Sequence, residues 1–219
     1  MLAFQPMEPR PPPAPARPPA QVRAIHTKAN LELLRDRSPE EADRVVAALG
    51  PEALADLETA APLAWLPAER DVEMATVLDQ VLGRDRARLL AREIVLRDLR
   101  SGLLARLVEG AVKLFGLTPA GILHWMPRGF SAIVRGAGAL RVEPLGPTAT
   151  RLVFDDLHPS VASACWLGAL AAGTGAVLDL TRHQGTVEIE QLGPVQARWV
   201  VRWEPLAGGA APAQGAGRR

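Results

Sequence analysis

The chain has 219 residues, 48% of them hydrophobic, which is enough for one buried core with a helical annex. A formal net charge of +1 advertises no nucleic-acid or anionic-lipid partner, and the single cysteine, Cys165, excludes an internal disulfide framework. The four histidines, His26, His124, His158 and His183, share no metal-ligand spacing, and GxSxG, GxGxxG and GxxxxGK patterns are absent, so catalytic residues, metal ligands and cofactors are all assigned as none.

Residues 1–20, MLAFQPMEPRPPPAPARPPA, read as a solvated proline-rich tail, because proline lacks the amide donor and holds its predecessor extended. They contain no apolar signal-like run, which makes the cytoplasm the expected compartment. From Val22 the pattern is helical. Ile25, Leu31 and Leu34 mark a first helix; Ser38 and Pro39 open a second, with Ser38 and Glu41 spaced as a capping box; Gly50 and Pro51 separate it from a third. TAAPLAWLPAER then breaks the helices, and Trp65 is expected to plug the connection. Apolar stripes predict three further helices over residues 68–115: Val72 to Leu82, ended by Gly83; Leu89 to Leu99; and Leu103 to Phe115. The arginines of this region alternate with Asp85, Glu93, Asp98 and Glu109, as on a solvated face laced with ion pairs. Thr118 and Pro119 start another helix, Pro127 starts one more, and Phe130, Ile133 and Val134 share its inner face.

The remainder alternates with a period of two. ALRVEP and TRLVFDD form one predicted hairpin around Gly146 and Pro147; GTVEIEQL and VQARWVVRW form another around Gly193 and Pro194. Asp155 and Asp156 are adjacent on a strand and point to opposite faces, so they are poorly placed to share a proton. Between the hairpins, no charged residue occurs from Pro159 to Leu178. That length could span a bilayer, but Ala, Gly, Ser and Thr dominate it and its flanks are strands, so a buried core helix laid on the sheet is expected, with no membrane span. Cys165 on this helix has no basic neighbour to make it a thiolate. The fold class is therefore α+β: an N-terminal helical half (22–137), then a four-stranded antiparallel sheet in the order β-β-α-β-β (138–205) packed on a central apolar helix, with a single domain over 21–205 and a second flexible tail over 206–219.

The succession FGLTPAGILHWMPRGFSAIVRGAGALRVEP, DDLHPSVASACWLGALAAGTG and GTVEIEQLGPVQARWVVRWEP resembles a myxobacteria-restricted paralogous family of unknown function. That family is in turn similar in layout to the 4-vinyl-reductase-type and heme-nitric-oxide-binding-type ligand domains, and the resemblance covers roughly Val22 to Pro205. It implies a small-molecule sensing or protein-interaction module. The heme-binding relatives use a proximal histidine and a Tyr-x-Ser-x-Arg clamp, whereas this chain has no tyrosine. The 4-vinyl-reductase relatives carry cysteines near the last hairpin, whereas Cys165 is on the central helix.

Two functions follow. The first is a cytoplasmic, non-catalytic ligand-binding or sensory module with an apolar pocket between the central helix and the sheet, lined by Phe130, Val134, Trp166, Leu170, Trp199 and Trp203. The second is an adaptor or scaffold that binds another protein through the proline-rich tail or an apolar face. In the first, the expected partner is a small apolar molecule.

Overall fold

The computed structural model describes residues 17–100 and 104–205. Most of the proline-rich tail, Leu103 and the tail beyond residue 205 lie outside the described residues. The chain enters as a strand, β1 (Gln21–Arg23), followed by α1 (Ala24–Arg37), α2 (Pro39–Ala48), α3 (Pro51–Thr59), β2 (Trp65–Pro67), α4 (Ala68–Leu82), α5 (Arg84–Arg100), α6 (Ala105–Phe115), α7 (Pro119–Ile133) and β3 (Val134–Arg135). Then come β4 (Ala139–Gly146), β5 (Ala149–Asp155), a 3-10 turn (Pro159–Val161), α8 (Ala164–Thr174), α9 (Ala176–Thr181), β6 (Gly185–Leu192) and β7 (Gln196–Trp203). The expected α+β class and both hairpins are present.

The larger sheet is four-stranded and antiparallel in the order β4-β5-β7-β6, so the two hairpins join through β5 and β7, where Leu152 opposes Trp199 and Phe154 opposes Ala197. Ala197, Trp199, Val201 and Trp203 are buried on the inner face. Val200 points the other way yet is also buried, flanked in register by Arg151 and Glu188; Arg151 in turn reaches over to Glu190 at 2.8 and 3.0 Å. The aliphatic stems of such long charged side chains cover an apolar neighbour while their heads stay in water. Each edge strand carries an irregularity, between Pro144 and Gly146 on β4 and between Ile189 and Gln191 on β6.

The apolar stretch is two helices, not one. The 3-10 turn is capped by His158, whose Nδ1 accepts from the Ser160 amide, and Ser163 caps α8; a one-residue turn at Gly175, itself helical in φ and ψ, separates α8 from α9. By length and composition Ala164–Thr181 could cross a membrane, with mean hydropathy 1.3, but 61% of it is buried inside the structure. α8 lies between the β6–β7 hairpin and helices α4 and α5. Its small residues are what permit this. A Cβ on Gly173 would lie 2.9 Å from Val95 Cγ2, and one on Gly168 3.3 Å from the Arg88 guanidinium. Arg92 of α5 clamps Asp179 of α9 through two hydrogen bonds of 2.6 and 2.7 Å, so the first charge after the apolar stretch is held by a half-buried bidentate pair.

Three sequence expectations are corrected. Ser38 does occupy the N-cap of α2, but its hydroxyl bonds no helix amide; Glu41 instead forms a bidentate pair with Arg86 at 2.6 and 2.7 Å, because a guanidinium fork is a better partner than one amide. Pro127 does not restart a helix. α7 runs through it, losing one backbone hydrogen bond in mid-helix, since the ring has no N–H to give the Leu123 carbonyl. Val134 leaves that helix and opens β3.

β3 belongs to a second sheet that the sequence did not announce, three-stranded in the order β2-β1-β3. It brings Trp65 out of the connection and between two guanidiniums, Arg23 at 3.9 Å and Arg135 at 4.2 Å from the ring. The residues just before β1 pack as well: Ala20 is fully buried and its carbonyl accepts from the Ala68 amide at 3.0 Å. Gly136, at φ +70, lets the Pro19 carbonyl approach to within 2.8 Å of where a Cβ would stand.

Candidate functional site

A cavity of about 150 Å³, partly open to solvent, lies among α1, α4, α5, α6, α7 and α8. Its walls are mostly aliphatic: Leu78, Ile94, Val95, Leu107, Ile122 and Met126 among others. Local sequence explains the opening. On α7 the residues spaced at three and four, Ile122, Trp125, Met126, Gly129, Phe130 and Ile133, face inward, and Gly129 has Leu104 and Leu107 opposite it, at 3.4 and 3.9 Å from a notional Cβ. On α8 the inward residues are small, Ala169 and Gly173 beside Leu170 and Trp166.

Phe130, Val134, Trp166 and Leu170 line this cavity. Trp199 and Trp203 do not: they are buried against the inner face of the sheet, 0% and 7% exposed. The opening is therefore mainly between α8 and the other helices, with Leu140 of β4 lining it from the larger sheet. Phe154 on β5, which sequence reasoning did not single out, connects the two regions. Its ring meets Phe130 edge-on at 5.1 Å and Trp166 at 6.2 Å, so the cavity's aromatic wall rests on the sheet.

One wall is polar. Asp71 of α4 is buried, and its two oxygens accept from the Thr27 hydroxyl and the Trp166 indole, both at 2.8 Å. His26 of α1 also lines the cavity, with its Nδ1 3.7 Å from Asp98, beyond hydrogen-bond distance but well within reach of its charge. Burial works against the charged imidazole, but Asp98 and the nearby Asp71 outweigh it and hold the pKa above its ordinary value. Because the folded state then holds the proton more tightly than the unfolded chain, His26 contributes stability that is complete below about pH 6.5 and is lost as pH rises through the folded value. Thermal melting of the wild type should fall with rising pH in that window by more than melting of His26→Gln; parallel curves would show that the imidazole stays neutral. Further along the wall, Asp79 pairs with Arg84 at 3.9 Å and takes the Cys165 thiol at 3.6 Å. Burial and this carboxylate push the thiol pKa up, the opposite of what a nucleophilic cysteine needs.

No protein-family profile and no curated protein matches the chain. Solved structures do. An Fe(II) unliganded H-NOX protein mutant from K. algicida superposes with TM-score 0.59 at 8% identity, over 84% of this chain and 97% of that one. The chain has the fold of an H-NOX domain. A mutant of the T. tengcongensis H-NOX gives TM-score 0.56 at 13% identity, over 84% and 100% of the two chains. An oxygen-binding H-NOX domain related to soluble guanylate cyclases, in its oxygen complex, gives 0.55 at 12%, over 87% and 100%.

On this H-NOX fold the residues do not fit a heme. Of the four histidines only His26 lines the cavity; His124 turns outward from α7, His158 caps the 3-10 turn and His183 bonds the Thr181 carbonyl at 2.9 Å. The chain has no tyrosine to supply a Tyr-x-Ser-x-Arg clamp. The cavity, at about 150 Å³, also falls below the roughly 300–1,000 Å³ of pockets that hold larger ligands and cofactors.

Proposed function

We propose that the chain is a non-catalytic, cytoplasmic ligand-binding module of sensory type, whose cavity takes a small apolar molecule directly and without heme. The observation that carries this reading is the mostly apolar, partly open pocket itself. Close-packed interiors leave few spaces larger than a water molecule, and an apolar space of roughly 150 Å³ is large enough to accept benzene. The H-NOX fold supports it, since one solved domain of that fold is an oxygen complex. Isopropylbenzene, titrated against the intact chain by calorimetry, should bind at a single site. Ala169 lines the cavity on α8, so Ala169→Phe should fill the space and weaken that binding more than tenfold while leaving the melting temperature within a few degrees. Unchanged affinity in that variant would place the probe elsewhere and sink the reading.

The adaptor reading draws on the exposed Leu114 near the end of α6 and Leu117 just after it, 67% and 49% exposed. It becomes the better account if no apolar probe binds and a defined polypeptide is retained through those two leucines.

A further inference from the structure

Two polar atoms at the cavity have no hydrogen-bond partner among the described residues although both are buried: Trp125 Nε1 and His26 Nδ1. An indole N–H is a donor only, and leaving it without an acceptor in an apolar wall forfeits a hydrogen bond that water would have supplied. The acids on the wall have other donors: Asp71 accepts from Thr27 and Trp166, and Asp79 from Cys165. Resting on the reading of this cavity as a binding site, we propose that its occupant is a neutral molecule, apolar over most of its body, that carries one acceptor oxygen of the carbonyl or ether kind and receives the Trp125 indole hydrogen bond.

Neutrality follows from the charges around the space. Asp79 pairs with Arg84, Asp98 lies 3.7 Å from His26, Asp71 is hydrogen-bonded to Thr27 and Trp166, and Arg88 is the further cation of the wall. With acids and bases interspersed, no cluster of one sign is left to repay the desolvation of a buried ion. The size of the body is set by the volume, which suits a molecule built on one six-membered ring. Selectivity for the oxygen follows from the same asymmetry: a hydrocarbon of equal shape leaves the indole unsatisfied, whereas a ketone satisfies it.

Three probes of matched size separate the possibilities: isopropylbenzene, acetophenone and benzoate, titrated against the intact chain and against Trp125→Phe. Acetophenone should bind the wild type about 5- to 10-fold more tightly than isopropylbenzene, the size of one neutral hydrogen bond. In Trp125→Phe that ratio should fall to one or below, because the ring remains, the donor is lost and the ketone oxygen is left without a partner. Benzoate should bind more weakly than either. Should the variant fail to fold, the indole N–H resonances of the wild type give the same answer: one should move downfield with acetophenone and stay still with isopropylbenzene. Equal affinities for the two neutral probes in both proteins would overturn the hydrogen-bond assignment while leaving the cavity as a site for hydrocarbons. Tightest binding by benzoate would overturn neutrality, and failure of all three would remove the binding site together with this inference.

Discussion

Truncation of Trp199 to alanine is expected to cost about 3–5 kcal/mol and to act as a folding defect, not a binding defect. The indole is fully buried between Leu152 of β5 and Ile189 of β6, at the centre of the inner face of the sheet, where nothing can collapse into the space that it leaves. Its Nε1 finds no acceptor among the described residues, so Trp199→Phe should be far milder, trading lost contacts for the removal of an unsatisfied donor. The denaturant midpoint decides, and a loss below about 1 kcal/mol for the alanine variant would mean that the ring faces open space after all. Isopropylbenzene affinity, measured on whatever fraction of the variant stays folded, should be that of the wild type, since Trp199 is outside the cavity wall.

Ala171→Glu is expected to abolish soluble folding. Ala171 is fully buried on α8, the helix that is covered by α4 and α5 on one side and by the β6–β7 hairpin on the other. An unpaired carboxylate there costs several kcal/mol, comparable with the roughly 5–15 kcal/mol that holds a whole domain together. Ala171→Ser, which adds a hydroxyl able to bond the preceding turn, serves as the control and should remain folded. Soluble protein with native circular dichroism from the glutamate variant would mean that α8 is not enclosed as described. The same measurement on Gly173→Leu should give an intermediate loss, because Val95 is already 2.9 Å from the first added carbon.

Much of the architecture was legible because periodicity is local. Alternation in GTVEIEQL and VQARWVVRW places the hairpins, and Gly83 and Gly116 stop α4 and α6 where the apolar stripes end. The three-stranded sheet was not legible, since strands of two and three residues carry no period and their pairing joins positions as far apart as Gln21 and Arg135. Pro127 misled for a related reason: a proline is usually a boundary, and α7 keeps its course because the helices and the sheet packed around it override the missing hydrogen bond. The site was half legible. Aromatic residues near the central helix pointed to Phe130 and Trp166, which do line the cavity, but alternation alone could not say that the inner face of β7 is filled and that the open space is on the opposite side of α8. The polar wall escaped entirely, because Thr27, Asp71 and Trp166 are separated by 44 and 95 residues and only packing brings them together.

The irregular outer strands have a consequence for how the protein meets its own copies. An open sheet offers a row of unpaired amides and carbonyls at each border, a template for adding a strand from a neighbouring molecule. On β4 the template is interrupted where Pro144 has no amide to give and the register slips before Gly146; on β6 it slips between Ile189 and Gln191, where Glu190 is the extra residue and is held by Arg151. Neither border can be zipped over its full length. Self-association through strand addition is thereby disfavoured even when the chain is concentrated, and growth into fibrils would first require one of the two hairpins to come apart.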